Sequence, residues 1–150
     1  MKFLYPLLAL ALILGSCAKK KAEKQAKTDD DIIKQYVSDQ GLTATKTSSG
    51  LYVVIDNIGT GIGCNSNATV KASYKGYFTS GEVFDSSSAA GIDFDLQSVI
   101  KGWTEGIPYF KTGGDGVLLV PAHLGYGSND NRGIPGGSVL IFDVKLISVN

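Results

Sequence analysis

The residues of this 150-residue chain that could do chemistry are mainly aromatic, and one short segment concentrates them. The segment SVIKGWTEGIPYF, residues 98–110, places Val99, Ile100 and the only tryptophan, Trp103, at helical positions i, i+1 and i+4. These positions share one helix face. Gly102 inside that helix costs about 1 kcal/mol relative to alanine, which indicates that another group closely approaches its backbone. The segment is too short to be a full core helix, so other elements must pack against the tryptophan.

Nucleophilic, metal-assisted and phosphate-binding chemistry find no support in the sequence. His123 is the only histidine, and no serine or cysteine has a credible histidine partner. No Cys or carboxylate spacing makes a metal site with His123, and Cys64 is interpreted as a small, buried side chain. The segment GTGIG, residues 59–63, precedes neither a helix nor a GK[ST] pair, as a phosphate loop would require. We therefore expect no metal and no cofactor.

Charge and composition exclude a nucleic-acid partner and favour one globular domain. The formal net charge is zero, and 43% of the residues are apolar, enough for a real core. Residues 1–49 hold eight Lys against five acidic residues, whereas residues 50–150 hold six basic against nine acidic residues. Nucleic-acid binding would need a clustered basic face. We expect a monomer.

The elements that must position Trp103 are mostly strands. Alternating or β-branched segments predict strands at 51–58, 68–78, 116–121 and 138–149. In the second segment Val70, Ala72 and Tyr74 share a face, and in the last Phe142 shares a face with other apolar residues. Tyr74 and Phe142 should therefore point inward. The sequence predicts an α+β fold, with one antiparallel sheet wrapped over one short helix.

The N-terminus has the features of an export signal. Residues 1–16 combine Lys2 with an apolar run of roughly a dozen residues, too short to span a bilayer comfortably. The ending LGSC resembles the lipobox of bacterial lipoproteins, which implies cleavage before Cys17 and acylation of that residue. The alternative is an ordinary signal peptide with a coincidental cysteine.

Residues 17–49 are predicted to connect this signal to the folded domain. Residues 17–28 have no apolar periodicity and predict a flexible tether. Residues 29–49 predict a short helix and a linker, with Asp29–Asp31 at the helix start and Gly41 as its stop. That helix either docks on the domain, stays half-formed on the tether, or serves as a dimerisation helix.

Four segments carry a resemblance to a known family. They are YKGYFTSGEVFDSSS (74–88), FDLQSVIKGWTEGI (94–107), GGDGVLLVPAHLGYG (113–127) and GIPGGSVLIFDVKLI (133–147). In this order they resemble the signature segments of the FKBP-type peptidyl-prolyl cis-trans isomerases. The resemblance covers residues 50–150 and implies an FKBP-like fold for that domain.

The resemblance also implies a set of pocket residues. Trp103 would form the pocket floor, the Tyr126 hydroxyl and the Ile100 backbone N–H would donate to peptide carbonyls, and Asp85 would hold the polar side. Asp85, Tyr126 and Ile100 are thus implied as catalytic residues. The implied substrate-binding residues are Tyr74, Phe84, Val99, Trp103, Ile134 and Phe142. Without the motifs, the aromatic residues would be interpreted as core, Asp85 as a turn cap and Tyr126 as a loop residue.

The function implied is catalysed rotation of X-Pro bonds in a hydrophobic pocket, assisting the folding of envelope proteins. The protein would be lipid-anchored through Cys17 at the outer membrane, facing the periplasm. The alternatives are a non-catalytic module that binds proline-containing segments or a macrolide, and a structural lipoprotein with a vestigial pocket.

Three departures from the family pattern bear on the pocket. Ile92 lies where many members have a further aromatic residue, which predicts a thinner wall. GIPGG has one proline, Pro135, where many members have two, which predicts a looser loop over the pocket. Asp115 stands where many relatives carry Lys or Arg, outside the pocket.

Overall fold

The structure is a computed structural model that describes the backbone of residues 7–150 and the side chains of residues 16–150. The predicted signal peptide therefore begins outside the described residues. Within residues 7–150, two α-helices and seven strands follow one another, together with 3-10 turns at Ile107–Tyr109 and Ala122–Leu124. The elements are α1 (Leu7–Asp39), β1 (Thr45–Lys46), β2 (Tyr52–Asn57), β3 (Thr69–Tyr77), β4 (Val83–Ser86), β5 (Ile92–Asp95), α2 (Lys101–Gly106), β6 (Asp115–Val120) and β7 (Leu140–Val149).

One antiparallel sheet contains all of these strands, in the order β1-β2-β6-β7-β3-β4. The edge of β3 that does not face β7 pairs with both β4 and β5. The four long strands lie where alternation and β-branching predict them, so the predicted α+β fold is confirmed. The short strands β4 and β5 have no such signal. The β5 sequence, IDFD, contains two aspartates, which are disfavoured in strands.

Helix α2 packs directly on strand β6 across the inner face of the sheet. A Cβ added at Gly102 would lie 2.6 Å from Val120 Cγ1, and one at Gly106 would lie 2.7 Å from Leu118 Cδ2. The close approach that the sequence predicts at Gly102 is therefore confirmed. Val120 is the group that makes it. The two glycines bring the helix axis close to the sheet and hold the helix start at a defined height above it.

The outer face of the sheet is covered by α1. Ile33 is fully buried and packs with Tyr52, Val54 and Ile141 in a second apolar cluster. Asp29 is also fully buried, and its Oδ2 accepts a 2.8 Å hydrogen bond from the Ala122 backbone N–H. Both faces of the sheet are thus occupied, α2 on the inner face and α1 on the outer one.

The structure corrects the predicted tether. Residues 17–28 are not an irregular segment but part of α1, which continues through Asp29–Asp31 without a break. The physical reason is that Ala, Lys, Glu and Gln are strong helix formers, and that Gln25 and Asp29 already contact the domain. The three aspartates therefore lie in the helix interior rather than at its start.

The predicted stop at Gly41 is confirmed. The helix ends at Asp39, and Gly41 has a φ of 62°, a left-handed conformation that glycine adopts without strain. The Leu42 N–H donates to the Val37 carbonyl at 2.9 Å, which satisfies one of the last helical carbonyls. Within the part of the chain that the structure describes, no helix is long and apolar enough to cross a membrane.

Candidate functional site

A cavity of about 400 Å³ opens beside the start of α2, against the inner face of the sheet. Eight of the nine predicted pocket residues line it, together with Phe94 and Ser98. The eight are Tyr74, Phe84, Asp85, Val99, Ile100, Trp103, Tyr126 and Phe142. The ninth, Ile134, lines an adjoining cavity of about 390 Å³ that shares Phe84, Asp85 and Tyr126 with the first. The structure thus brings the predicted residues together around two connected cavities.

Trp103 forms the floor of the first cavity, the aromatic pocket. The residue is 4% exposed, and its ring packs edge-on against three others. The ring centroids lie 5.2 Å from Tyr74, 5.6 Å from Phe142 and 5.0 Å from Phe94, with interplanar angles of 67° to 89°. Edge-to-face pairs of this kind are worth about 0.5–1.5 kcal/mol each beyond the area they bury. The indole is therefore fixed in place, yet it still lines open space.

A glycine in β3 makes room for two pocket rings. Gly76 is paired with Phe142 on β7 and with Asp85 on β4. A Cβ at this position would lie 2.7 Å from Phe84 Cζ and 2.9 Å from Phe142 Cε1. The rings of Phe84 and Phe142 consequently meet over the glycine, with centroids 5.6 Å apart. Any larger residue here would force the two rings to shift.

A tyrosine and a carboxylate define the polar edge of the pocket. The Tyr74 hydroxyl donates a 2.6 Å hydrogen bond to Asp85 Oδ2. Burial, and next the hydrogen bond to Asp85, raise the pKa of Tyr74 above its usual value, so that the hydroxyl stays protonated and remains a donor. Asp85 is thereby held at a fixed position beside the rings.

Two further donors border the aromatic pocket. Tyr126 is 42% exposed and lines both cavities. Ile100 directly precedes α2 in an extended conformation, and its carbonyl accepts from the Trp103 N–H at 2.9 Å. The Ile100 N–H donates no hydrogen bond within residues 16–150. It is available to an acceptor in the pocket.

Sequence reasoning missed Phe94 as a pocket residue. Its ring lies 5.0 Å from that of Trp103 and 5.8 Å from that of Tyr74, and it supplies one aromatic wall. Ile92, which was expected to thin that wall, is 46% exposed and does not line the cavity. The sequence did contain a signal for Phe94 as a pocket residue, because Phe94 is the first residue of FDLQSVIKGW, one of the segments that carry the family resemblance.

The loop beside the second cavity is held by hydrogen bonds, although it has one proline. Asn131 and Ile134 exchange two backbone hydrogen bonds of 2.9 Å around a two-residue turn. The Gly136 N–H donates to Asp130 Oδ1 at 2.8 Å, which closes the next part of the loop. These side-chain and turn hydrogen bonds restrain the loop, and the looser loop expected from a single proline stays a prediction.

The fold is a sheet wrapped over a short helix, and a pocket floored by the Trp103 indole lies between them. Known proteins share this arrangement. A family model described as FKBP-type peptidyl-prolyl cis-trans isomerase matches residues 63–147. The chain belongs to this family.

Curated relatives and solved structures agree with this assignment. An FkpA isomerase from Buchnera aphidicola (Schizaphis graminum) is 45% identical over 108 residues, covering 70% of this chain and 43% of the relative. A probable FKBP-type isomerase from Haemophilus influenzae is 41% identical over 143 residues, covering 91% and 59%. The crystal structure of FkpA from Escherichia coli matches with a TM-score of 0.73 and 34% identity, covering 96% and 70%. The chain spans about half the length of the curated relatives it matches.

Proposed function

We propose that this protein catalyses the cis-trans isomerisation of X-Pro peptide bonds in the aromatic pocket. The observation that carries the proposal is the open cavity over the Trp103 indole, with a fixed polar edge at Asp85. Its volume of about 400 Å³ is many times the roughly 10–15 Å³ that a single water molecule requires. A prolyl ring and its adjoining amide fit such a space.

The physical problem is a barrier rather than an unfavourable product. The cis and trans forms of an X-Pro bond differ by about 0.5–1 kcal/mol, but a barrier of about 18–20 kcal/mol separates them. Resonance places negative charge on the carbonyl oxygen of the planar amide, where water solvates it. The twisted transition state has less charge separation, so removal of water destabilises the planar state more. About 4 kcal/mol of this difference would accelerate rotation roughly a thousandfold.

The named residues supply this environment without covalent chemistry. The rings of Trp103, Phe94 and Phe142 displace water from the prolyl ring. The Tyr126 hydroxyl and the Ile100 N–H donate to the carbonyls that flank the rotating bond, which fixes the ends of the peptide. Asp85, held by Tyr74, keeps the polar side of the pocket in position. Rotation then needs only that the peptide is held and desolvated.

A proline-limited refolding assay tests the proposal. We expect acceleration by wild type, a drop of about two- to tenfold in kcat/KM for Tyr126→Phe through the loss of one hydrogen bond, and a larger drop for Trp103→Leu. Tyr109→Phe is the matched control, since Tyr109 is also 42% exposed but lines neither cavity. If the refolding rate with wild type equals the spontaneous rate, the proposed catalytic activity is overturned. Binding of prolyl peptides without acceleration would instead support a non-catalytic module.

We further propose that the protein acts on envelope proteins while anchored by lipid at Cys17. The LGSC segment and the exposed side chain of Cys17 support this. Two or more acyl chains, at about 0.8 kcal/mol per buried methylene, would hold it stably at a membrane surface. Labelled palmitate should enter the wild type expressed in a bacterial host and should not enter Cys17→Ser. A Cys64→Ser variant controls for thiol loss, and unlabelled wild type in the soluble fraction would overturn the anchor.

A further inference from the structure

The second cavity contains the only arginine of the chain. It measures about 390 Å³ and is lined by Phe84, Asp85, Tyr126, Asn131, Arg132 and Ile134. Three of these residues also line the aromatic pocket, so the two cavities are continuous around Asp85 and Tyr126. A peptide whose proline occupies the aromatic pocket would therefore place a neighbouring residue in this second cavity.

The backbone holds Arg132 at the cavity in an unusual conformation. Arg132 has a φ of 47°, the only positive φ of a non-glycine residue within the described chain. It occupies the first corner of the tight turn that the two Asn131–Ile134 hydrogen bonds close, with Gly133 at the second corner. Tight turns with two positive φ values favour Asn, Asp or Gly at the first corner. The side chain is thus presented by a restrained turn and not by a long free loop.

The guanidinium is available for a ligand. Arg132 is exposed, and none of the ion pairs within residues 16–150 involves it. The acidic side chain that shares the cavity, Asp85, is engaged by the Tyr74 hydroxyl. The nearby carboxylate of Asp130 accepts from the Gly136 N–H within the loop. A guanidinium presents N–H donors in a planar fork that matches a carboxylate.

From this arrangement we infer that Arg132 is a specificity-determining residue, which selects peptides with an acidic residue next to the proline. The inference rests on the proposed function, because the proline in the aromatic pocket sets the register of the peptide. Asn131 lines the same cavity and offers a second polar group to the bound carboxylate. Asp85 in the shared wall opposes anionic ligands, which keeps the preference modest. Since the ion pair is exposed, we expect a preference of about two- to fivefold.

Matched peptides test the inference. One pair carries Glu or Gln immediately before the proline, and a second pair carries them immediately after it. For wild type, the Glu to Gln ratio of kcat/KM should be about two to five in at least one pair, and it should fall towards one in Arg132→Gln. Arg132→Lys keeps the positive charge but not the planar fork of N–H donors, so its Glu to Gln ratio should lie between those of wild type and Arg132→Gln. Lys111→Gln removes an equal charge outside both cavities and should keep the wild-type ratio.

Two results would overturn the inference. One is a ratio that is the same in wild type and Arg132→Gln, and the other is an equal loss of preference in Lys111→Gln. The proposed function fails separately, if wild type isomerises none of the four peptides. In that event, the fluorescence of the single tryptophan, which lines the pocket, still gives dissociation constants for the same peptides. The Glu to Gln ratio of those constants then decides the role of Arg132 by itself.

Discussion

The hydroxyl of Tyr74 donates a 2.6 Å hydrogen bond to the carboxylate of Asp85, and so joins β3 to β4 at the polar edge of the aromatic pocket. Three residues along β3, the hydroxyl of Tyr77 donates a 2.8 Å hydrogen bond to Asp143. The odd spacing places the two tyrosines on opposite faces of the sheet. Only the first pair lines the aromatic pocket, so the second is an internal control for it.

Tyr74→Phe should reduce activity, whereas Tyr77→Phe should not. Each variant loses one hydrogen bond to a carboxylate, so each should lose about 1 kcal/mol of unfolding free energy. Only Tyr74→Phe frees Asp85 to move, and we expect its kcat/KM in the refolding assay to fall by about two- to tenfold. Equal activity of the two variants, measured beside their urea denaturation curves, would show that the position of Asp85 does not matter.

Stability should decline at alkaline pH. Burial, and next hydrogen bonds to Asp30, Asp85 and Asp143, raise the pKa values of Tyr52, Tyr74 and Tyr77 above their usual value of about 10. As the pH rises past about 10, these tyrosines ionise first in the unfolded chain, which therefore binds fewer protons than the folded one.

These three tyrosines should consequently leave the free energy of unfolding unchanged below about pH 10 and lower it above that pH. Urea denaturation at about pH 8, 10 and 11 measures the slope. Tyr52→Phe should flatten the decline because it removes one of the three groups, whereas Tyr109→Phe is the control, since Tyr109 is 42% exposed. Stability that rises between about pH 10 and 11 would contradict the burial of these hydroxyls.

Phe94 rather than Ile92 should matter for activity. Phe94→Leu removes two edge-on ring contacts, with Trp103 and Tyr74, each worth about 0.5–1.5 kcal/mol. We expect a loss of about 1–3 kcal/mol in unfolding free energy and a clear drop in kcat/KM. Ile92→Ala should keep wild-type activity, because Ile92 lies outside the cavity. If Ile92→Ala lowered kcat/KM and Phe94→Leu did not, Ile92 rather than Phe94 would form this wall of the aromatic pocket.

Asp29 should be the residue that fastens α1 to the domain. Asp29→Ala leaves the buried Ala122 N–H without its acceptor, at a cost of about 1–3 kcal/mol of unfolding free energy. Asp29→Asn retains an acceptor and should cost less. Asp31→Ala is the neighbouring control, since the Lys27–Asp31 pair is exposed and worth little. Activity on short peptides should change little in any of them, because neither Asp29 nor Asp31 lines either cavity.

Gly102 should tolerate alanine only when β6 makes room. A Cβ at Gly102 would lie 2.6 Å from Val120 Cγ1, and overpacking of this kind costs about 1–3 kcal/mol. The gain in helix propensity is about 1 kcal/mol, so thermal melting should show Gly102→Ala to be neutral or destabilised. Val120→Ala in the same chain removes the clash, and the double variant should be more stable than the sum of the single effects. If the stability changes of the two single variants simply add in the double variant, residue 102 does not contact Val120 directly.

Local patterns in the sequence were sufficient for the elements with strong periodicity. The alternation around Tyr74 and Phe142 predicts two long strands and their inward faces, because successive strand residues point to opposite sides. Gly41 predicts a helix end and Gly102 a close contact, because only glycine lacks a Cβ. The ordered motifs, through their family resemblance, then bring distant residues such as Asp85 and Tyr126 into one predicted pocket.

Tertiary structure decided what local patterns leave open. Phe94 and Ile92 are two residues apart on β5, so alternation assigns them the same face, and only the packing of the strand beside Trp103 separates them. Residues 17–28 lack an apolar face of their own. They are nevertheless helical, because the buried residues Asp29 and Ile33 anchor α1 on the domain and the helix continues from them towards both ends. Sequence alone determined the four long strands and α2, and its family resemblance supplied nine of the pocket residues. The long α1 and the composition of the pocket wall depended on contacts between segments far apart in the chain, whose energy no local pattern contains.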